Sequence, residues 1–256
     1  MGNENLQHWL ESPDNEFLPH ISLDCVVFGF HDGQLKILLL ELKKGSGRAL
    51  PGGFLQVNET LEQAAIRTLQ ERTGLHDIFL QQFHVFSDPE RGKQEDRVRQ
   101  LTDRALHPSK VMWFSQRFIS VGFYALVEFS KVNPVADELS EACEWHSLEE
   151  RGALILDHDT ILERALEALR SQLRYQPVGL NLLPQKFTMP ELQKLYEAIL
   201  GKKLDRRNFQ RKILSYGILE ELNEKRTGVA HKAPFLYSFH MRHYQRALKQ
   251  GLEEGW

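Results

Sequence analysis

The sequence predicts an α/β (α+β) body, a mixed sheet sandwiched between helices as α/β/α, followed by a small C-terminal winged helix-turn-helix domain. Three observations lead there. Apolar strand-like runs and amphipathic helical repeats alternate as far as Tyr175; the texture breaks at Gln176-Pro177 and Pro184; beyond the break the order is helix, tight turn, helix, strand, loop, strand. At 256 residues, against roughly 100 to 200 per domain, the chain has room for two such units. Its 41% hydrophobic and 26% charged residues exclude a disordered or fibrous chain.

Taken in order, residues 1–19 are polar and read as a lead-in. Ile21 to Phe30 reads as a buried strand, His31-Asp32-Gly33 as a hairpin turn, and Leu35 to Leu42 as the antiparallel partner. Gly45-Ser46-Gly47 then leads into the loop Leu50-Pro51-Gly52-Gly53-Phe54. From Thr60 to Thr73, Leu61, Ala64, Ala65 and Leu69 recur at helical spacing, and Gly74 stops the run. Phe79 to Phe86, Phe118 to Phe129 and Ala142 to His146 read as strands, and Asp159 to Tyr175 as a helix with Leu162, Ala165, Leu166 and Leu169 on one face. The interval from Ser87 to Gln116, with an insertion at about 92–116, is too long for an ordinary loop.

In the tail, Phe187 to Leu200 is a helix with Thr188 as N-cap, Pro190 and Glu191 in its first turn and Gly201 at its end. Asp205 caps a second helix running to about Ser215, with Phe209, Ile213 and Leu214 facing inward, and Ile218 to Leu222 and Phe235 to Phe239 are the two strands of a wing. The resulting divisions are the body at 20–155, a helix and linker at 156–184, and the winged helix at 185–256.

No apolar run approaches the ~20 residues needed to cross a bilayer, and the acidic N-terminus lacks a signal peptide's basic start. The expectation is a cytoplasmic protein with no membrane partner. Cys25 and Cys143 stand in apolar strand-like runs without CxxC spacing, as buried thiols do. The net charge of −3 conceals an asymmetry: residues 175–256 hold 14 Lys+Arg against 8 Asp+Glu, a balance of +6, which leaves 18 against 27, or −9, for the rest. A basic module on an acidic body suits a protein that meets a polyanion through one end.

Counting from Gly53, Glu59 lies six residues on, Arg67 fourteen, Leu69 sixteen, Glu71 eighteen, Gly74 twenty-one and Leu75 twenty-two. These offsets resemble the Nudix box. In that signature, glutamates one turn apart on a helix beside a Gly-Gly loop hold Mg²⁺ against a diphosphate so that water can attack phosphorus. The family's helix carries Arg-Glu-Leu-x-Glu-Glu, whereas this chain reads Arg67-Thr68-Leu69-Gln70-Glu71-Arg72. Two of three clustered carboxylates are missing, and a cation at position 72 repels a metal by several kcal/mol on order-of-magnitude Coulomb grounds. The expectation is a residual box (Gly53, Glu59, Arg67, Glu71) without catalytic residues, no metal and no required cofactor, Mg²⁺ entering only with residual hydrolysis.

In the second tail helix, Arg206, Arg207, Asn208, Gln210 and Arg211 are the polar residues free to face outward. Arg, Asn and Gln near a helix start suit major-groove reading because each makes paired hydrogen bonds to guanine or adenine edges. Lys186 and Thr188 would lie near the DNA backbone, and Lys225, Arg226 and Lys232 flank Gly228 in a basic wing. A merely solvated basic face is the alternative, and the coincidence of charge excess, helix order and wing charge favours DNA.

With both halves read, the chain resembles the Nudix-related transcriptional regulators, a Nudix domain fused to a C-terminal winged helix. The resemblance spans about residues 20–240, through Asp24-Cys25-Val26-Val27-Phe28-Gly29-Phe30, Leu50-Pro51-Gly52-Gly53-Phe54, Pro177-Val178-Gly179-Leu180-Asn181-Leu182-Leu183-Pro184 and Asp205-Arg206-Arg207-Asn208-Phe209. It implies a homodimeric repressor on palindromic operator DNA, with ADP-ribose or a sugar such as arabinose as effector and a role in NAD or sugar metabolism. It places the effector pocket near Asp24, Arg48, Gly52, Gly53, Phe54, Glu71, Asp88 and Arg91. The rival expectation is a Nudix hydrolase of ADP-ribose or another nucleoside diphosphate derivative, using Glu71 and Glu59 with substitutes such as Glu95 or Asp96 from the insertion. A nucleotide-binding adaptor is a third, which leaves the wing without a role.

Overall fold

A computed structural model of the chain describes residues 16–43, 46–76, 78–91, 113, 116–137, 139–227 and 233–252. The expectations on most of the insertion, including Glu95 and Asp96, and on Gly228 and Lys232 lie outside them. The described residues within 1–27, 37–125 and 132–165 group into one compact unit and those within 28–36, 126–131 and 166–256 into another.

The α/β body is built on a seven-stranded mixed sheet of order β3 (Arg48–Ala49), β2 (Gln34–Leu42), β1 (Phe17–His31), β6 (Ile119–Leu126), β5 (Phe79–Phe86), with β4 (Gly52–Gln56) paired to β1 and β7 (Ser140–Ser147) to β2. β1 (Phe17–His31) is central, and Leu23, Cys25, Val26, Val27 and Phe28 are all wholly buried, as in a strand covered on both faces. Each such apolar side chain stabilises the fold by about 1.5–3 kcal/mol. β1 starts inside the stretch read as a lead-in, because Phe17 pairs with Gln56 of β4. β1 turns into β2 (Gln34–Leu42) through Asp32 and Gly33, with φ of 49° and 75°, the positive pair a two-residue hairpin requires.

β3 (Arg48–Ala49) and β4 replace what the Gly-rich sequence suggested as a continuous loop. Pairing of Ser22, Leu23 and Asp24 with Phe54, Gly53 and Gly52 draws the Gly-Gly stretch into the sheet. α1 (Leu61–Thr73) starts from a Thr60/Gln63 capping box and ends at Gly74 in the left-handed region. β5 (Phe79–Phe86) and β6 (Ile119–Leu126) follow, β6 buried at all but its first residue, and α2 (His158–Tyr175) buries Ile161, Leu162, Ala165, Leu169 and Leu173 as one stripe. The strand expected to reach Phe129 stops at Leu126, and Phe129–Lys131 forms a 3₁₀ turn.

The second unit carries the winged helix. α3 (Met189–Leu200) is capped by Thr188, with Pro in its first turn, and closed by Gly201; α4 (Arg206–Ser215) is capped by Asp205. β8 (Phe187–Thr188), β10 (Phe235–Phe239) and β9 (Leu219–Lys225) form an antiparallel sheet in that order. Leu195, Tyr196, Phe209 and Ile213 make the core, Tyr196 and Phe209 meeting edge-on at 5.4 Å. Leu214, expected inward, is 41% exposed: it follows Ile213 by one residue, about 100° around the helix, and so leaves the apolar stripe. A further helix, α5 (Met241–Gln250), has no clear signal in the sequence, since only Tyr244 on it is buried and its other faces are polar.

Candidate functional site

The box folds as strand, loop and helix. A Cβ on Gly53 would stand 2.8 Å from the Thr68 hydroxyl, so glycine alone lets β4 lie this close to α1. Thr68 Oγ1 is itself buried without a hydrogen-bond partner among the described residues. Arg67 donates from Nε to Glu59 Oε2 (3.0 Å) and from Nη2 to Glu59 Oε1 (2.6 Å) and to the Phe54 carbonyl (3.0 Å), while the Gln56 N–H donates to Glu59 Oε1 at 2.8 Å. Burial pushes the Glu59 carboxyl up, but the bonds from Arg67 and Gln56 and the Arg67 charge outweigh it, and Glu59 titrates below its ordinary range. Glu59 and Arg67 are therefore a clasp closing the 56–59 turn onto α1.

Glu71 is exposed, with Arg67 Nη1 3.8 Å from one oxygen and Arg72 Nη2 3.8 Å from the other. Arg72 Nη2 also lies 3.7 Å from Asp137 Oδ2. A divalent cation does not fit these residues: position 68 offers a hydroxyl, position 72 a guanidinium, and the carboxylate at 71 has a cation on either side. The carboxylate and imidazole group whose ligand atoms converge within 4.8 Å among the described residues is instead Glu41, Glu144 and His146. There Glu41 already meets Arg48 Nε at 2.5 Å and His146 Nε2 at 3.0 Å.

Asp24 is the centre of a buried polar cluster. Its Oδ2 accepts from Arg91 Nη2 at 3.0 Å and from Ser120 Oγ at 2.5 Å, and His158 Nε2 lies 3.5 Å from Oδ1. His158 Nδ1 accepts the Leu50 N–H at 2.9 Å, which assigns its proton to Nε2, toward Asp24. Arg91 Nε donates to Asp157, while Arg91 Nη1 and Asp157 Oδ1 are buried without hydrogen-bond partners among the described residues. Asp88 ties the 88–91 turn: its carbonyl accepts the Arg91 N–H at 3.0 Å and its carboxylate the Glu90 N–H at 2.8 Å.

Of the residues expected at the effector pocket, Asp24, Gly52 and Arg91 share this neighbourhood, a Cβ on Gly52 falling 3.0 Å from Asp24 Oδ1. Phe54 contacts Trp113 (4.6 Å) and Phe118 (5.5 Å) by its ring. Arg48 is directed elsewhere, to Glu41 and to the Arg151 carbonyl at 2.8 Å. Sequence reasoning missed Ser120, Asp137, Asp157 and His158. Asp157-His158 directly before a helix was the one available signal, and Ser120 and Asp137 carry none.

On the winged helix, Arg206, Arg207, Asn208 and Arg211 are exposed along α4 and Gln210 is half-buried. Arg211 donates to Asn208 Oδ1 at 3.1 Å, an i,i+3 pair on one face of α4. The other expected contacts have internal partners. Thr188 is buried and its hydroxyl accepts the Glu191 N–H at 3.3 Å as the cap of α3; Lys186 pairs with Glu224 at 2.7 Å; Arg226 pairs with Glu191; Lys225 lies over the Phe235 ring at 4.9 Å.

The family model for the NUDIX domain matches residues 18–169, and that for the NrtR DNA-binding winged helix domain matches residues 179–239. The chain is 31% identical to the ADPR responsive transcriptional repressor NtrR of Acinetobacter baylyi over 243 residues, covering 92% of this chain and 88% of that protein. It is similar to the crystal structure of Shewanella oneidensis NrtR with a TM-score of 0.70 at 25% identity, covering 93% of this chain and 100% of that one. The same protein complexed with a 27mer DNA matches in fold, at a TM-score of 0.70 and 24% identity over 92% of this chain and 99% of that one. By sequence over nearly its whole length and by both domain signatures, the chain belongs to the Nudix-related transcriptional regulators, in which a Nudix domain is fused to a C-terminal winged helix.

Proposed function

We propose that this protein is a transcriptional repressor that binds operator DNA through α4 and responds to ADP-ribose bound in its Nudix domain. The observation that carries the reading is the union, in one chain, of exposed Arg206, Arg207, Asn208 and Arg211 on α4 with a Nudix box holding Arg72 where a hydrolase holds a carboxylate. The relative's name as an ADPR-responsive repressor supports ADP-ribose over arabinose or another sugar. The protein acts in the cytoplasm, where its DNA lies, as a homodimer on two half-sites about one helical turn apart. The Asp24, Arg91 and Phe54 neighbourhood receives the effector. To move operator occupancy from 99:1 to 1:99, ADP-ribose must prefer one DNA-binding state by about 10⁴-fold, and equal affinity for both shifts nothing.

The test is fluorescence anisotropy of the full protein on its own upstream region, with ADP-ribose and free pentoses added separately. The reading expects a specific complex that ADP-ribose alone dissolves or tightens. No preference over random DNA sinks the repressor, and a response to arabinose but not ADP-ribose sinks the effector. Light scattering of the free protein gives the oligomeric state. The hydrolase alternative predicts Mg²⁺-dependent turnover of ADP-ribose that Glu71→Gln abolishes; the Glu59 and Arg67 clasp leaves it one fewer carboxylate.

A further inference from the structure

Arg72 sits four residues beyond Thr68, so the two project from the same face of α1, the face on which the Thr68 hydroxyl meets Gly53. Its side chain is 14% exposed, and its Nε is buried without a hydrogen-bond partner among the described residues. Its Nη2 stands 3.8 Å from Glu71 Oε2 and 3.7 Å from Asp137 Oδ2, ion-pair distances too long for hydrogen bonds. Glu71 lies on α1, and Asp137 lies in the segment before β7. Asp137 is fixed there because its other oxygen accepts from the Leu139 N–H at 3.0 Å and the Ser140 hydroxyl at 2.6 Å. The 132–137 segment is tied to the same turn of α1 by Val135 N–H to the Arg72 carbonyl and Asn133 N–H to the Thr73 carbonyl, both 3.0 Å.

Two carboxylates from separate segments thus converge on one positive group with spare donors. Without a cation between them, Glu71 and Asp137 would repel each other. We infer that Arg72 is a built-in replacement for the divalent cation: it neutralises Glu71 and Asp137 and holds α1 to the 132–137 segment, so that the effector site is assembled and binds its diphosphate ligand without metal. A guanidinium also differs from a metal ion in what it does to phosphorus. It donates hydrogen bonds and charge, but it neither coordinates a water nor lowers that water's pKa, so the ligand is held and not cleaved. The part concerning the ligand rests on the effector reading above; the part concerning the cation does not.

The experiment has two arms on the full chain. In the first, Mn²⁺ binding is read by electron paramagnetic resonance on the unchanged protein, on Arg72→Glu and on Arg72→Lys, each checked for folding by circular dichroism. The unchanged protein and Arg72→Lys are expected to hold no Mn²⁺ that Glu71→Gln removes. Arg72→Glu is expected to gain one such site, formed with Glu71 and Asp137, and a melting temperature that rises with Mn²⁺. A Glu71-dependent Mn²⁺ site in the unchanged protein, or none in a folded Arg72→Glu, overturns the inference. In the second arm, calorimetry follows ADP-ribose in EDTA and in Mg²⁺. The unchanged protein is expected to bind equally in both, within about twofold, and Arg72→Gln to lose at least tenfold in EDTA, with Arg72→Lys restoring part of it. Tenfold weaker binding of the unchanged protein in EDTA overturns the metal-free site. Absence of ADP-ribose binding with the first arm as expected overturns the effector assignment and leaves the cation replacement standing.

Discussion

Replacing Arg91 by Met tests how far the Asp24 cluster depends on a single buried cation. The Arg91 side chain is 3% exposed and bridges Asp24, 10% exposed, and Asp157, 20% exposed. Methionine keeps much of the stem but leaves two largely desolvated carboxylates facing each other. Breaking a buried ion pair by removing one partner costs about 3–5 kcal/mol, because the remaining charge is uncompensated. Asp24 keeps the Ser120 hydroxyl at 2.5 Å and the His158 N–H, and Asp157 reaches solvent, so the lower end of that range applies, about 3 kcal/mol. That is a factor of roughly 150 in the folding equilibrium. Urea unfolding at neutral pH measures it, provided the slope with denaturant is unchanged. The pair Arg91→Met with Asp157→Asn should cost less than the sum of the two, since removing one carboxylate relieves the repulsion. A loss below about 1 kcal/mol for Arg91→Met, or strict additivity, would refute the view that the members of this buried cluster depend on one another.

Three further outcomes follow from particular groups. Glu59 is held below its usual value of 4.5, so its ionised form stabilises the fold above that pH, and the contribution disappears as pH falls through the lowered value; melting temperature should drop more steeply below pH 4.5 in the unchanged protein than in Glu59→Gln. Replacing Arg206, Arg207 or Arg211 by Gln should lower the slope of log K against log salt by ~0.9 for each phosphate that is no longer neutralised, whereas Thr188→Ala should cost about 1 kcal/mol of winged-helix stability and leave that slope alone. Burial pushes the Cys143 thiol up to about 11 and the Cys25 thiol higher still, so neither should react with a neutral-pH thiol reagent before the body unfolds, and rapid labelling of the native protein would contradict their burial.

What was legible in the sequence was what local chemistry dictates. Thr188 with Glu191, Asp205, Gly74 and Gly201 mark helix ends because their side chains or φ values satisfy terminal backbone groups within a few residues. The Asp32-Gly33 turn and the full bounds of β5 and β10 were readable for the same reason. β4 was not, because its pairing with β1 is a tertiary choice that Gly-Gly composition argues against. The buried polar cluster was legible in part: Asp24, Gly52 and Arg91 were named from the resemblance and lie together, but Ser120 and Asp157 join them from positions 96 and 66 residues away from their respective partners. No periodicity carries such a pairing.

The box shows why a signature can be recognised after its chemistry has changed. Its positions divide by what they touch. Gly53, Leu69 and Gly74, with the Glu59 and Arg67 clasp, hold strand, turn and helix together, and altering any of them strains the fold: a Cβ on Gly53 collides with Thr68, and loss of Arg67 leaves Glu59 only the Gln56 N–H and takes a donor from the Phe54 carbonyl. Positions 68 and 72 lie one turn apart on α1 and are the two at which this chain departs from the family's Arg-Glu-Leu-x-Glu-Glu helix. Threonine at 68 is small enough to remain buried against Gly53, and arginine at 72 supplies the charge that its neighbours Glu71 and Asp137 need. The pattern of loss is therefore informative in itself. Both departures from the box, at 68 and 72, remove a carboxylate that a metal would need, while the residues that join strand, turn and helix are all kept, and the charge at 72 is one that Glu71 and Asp137 pair with.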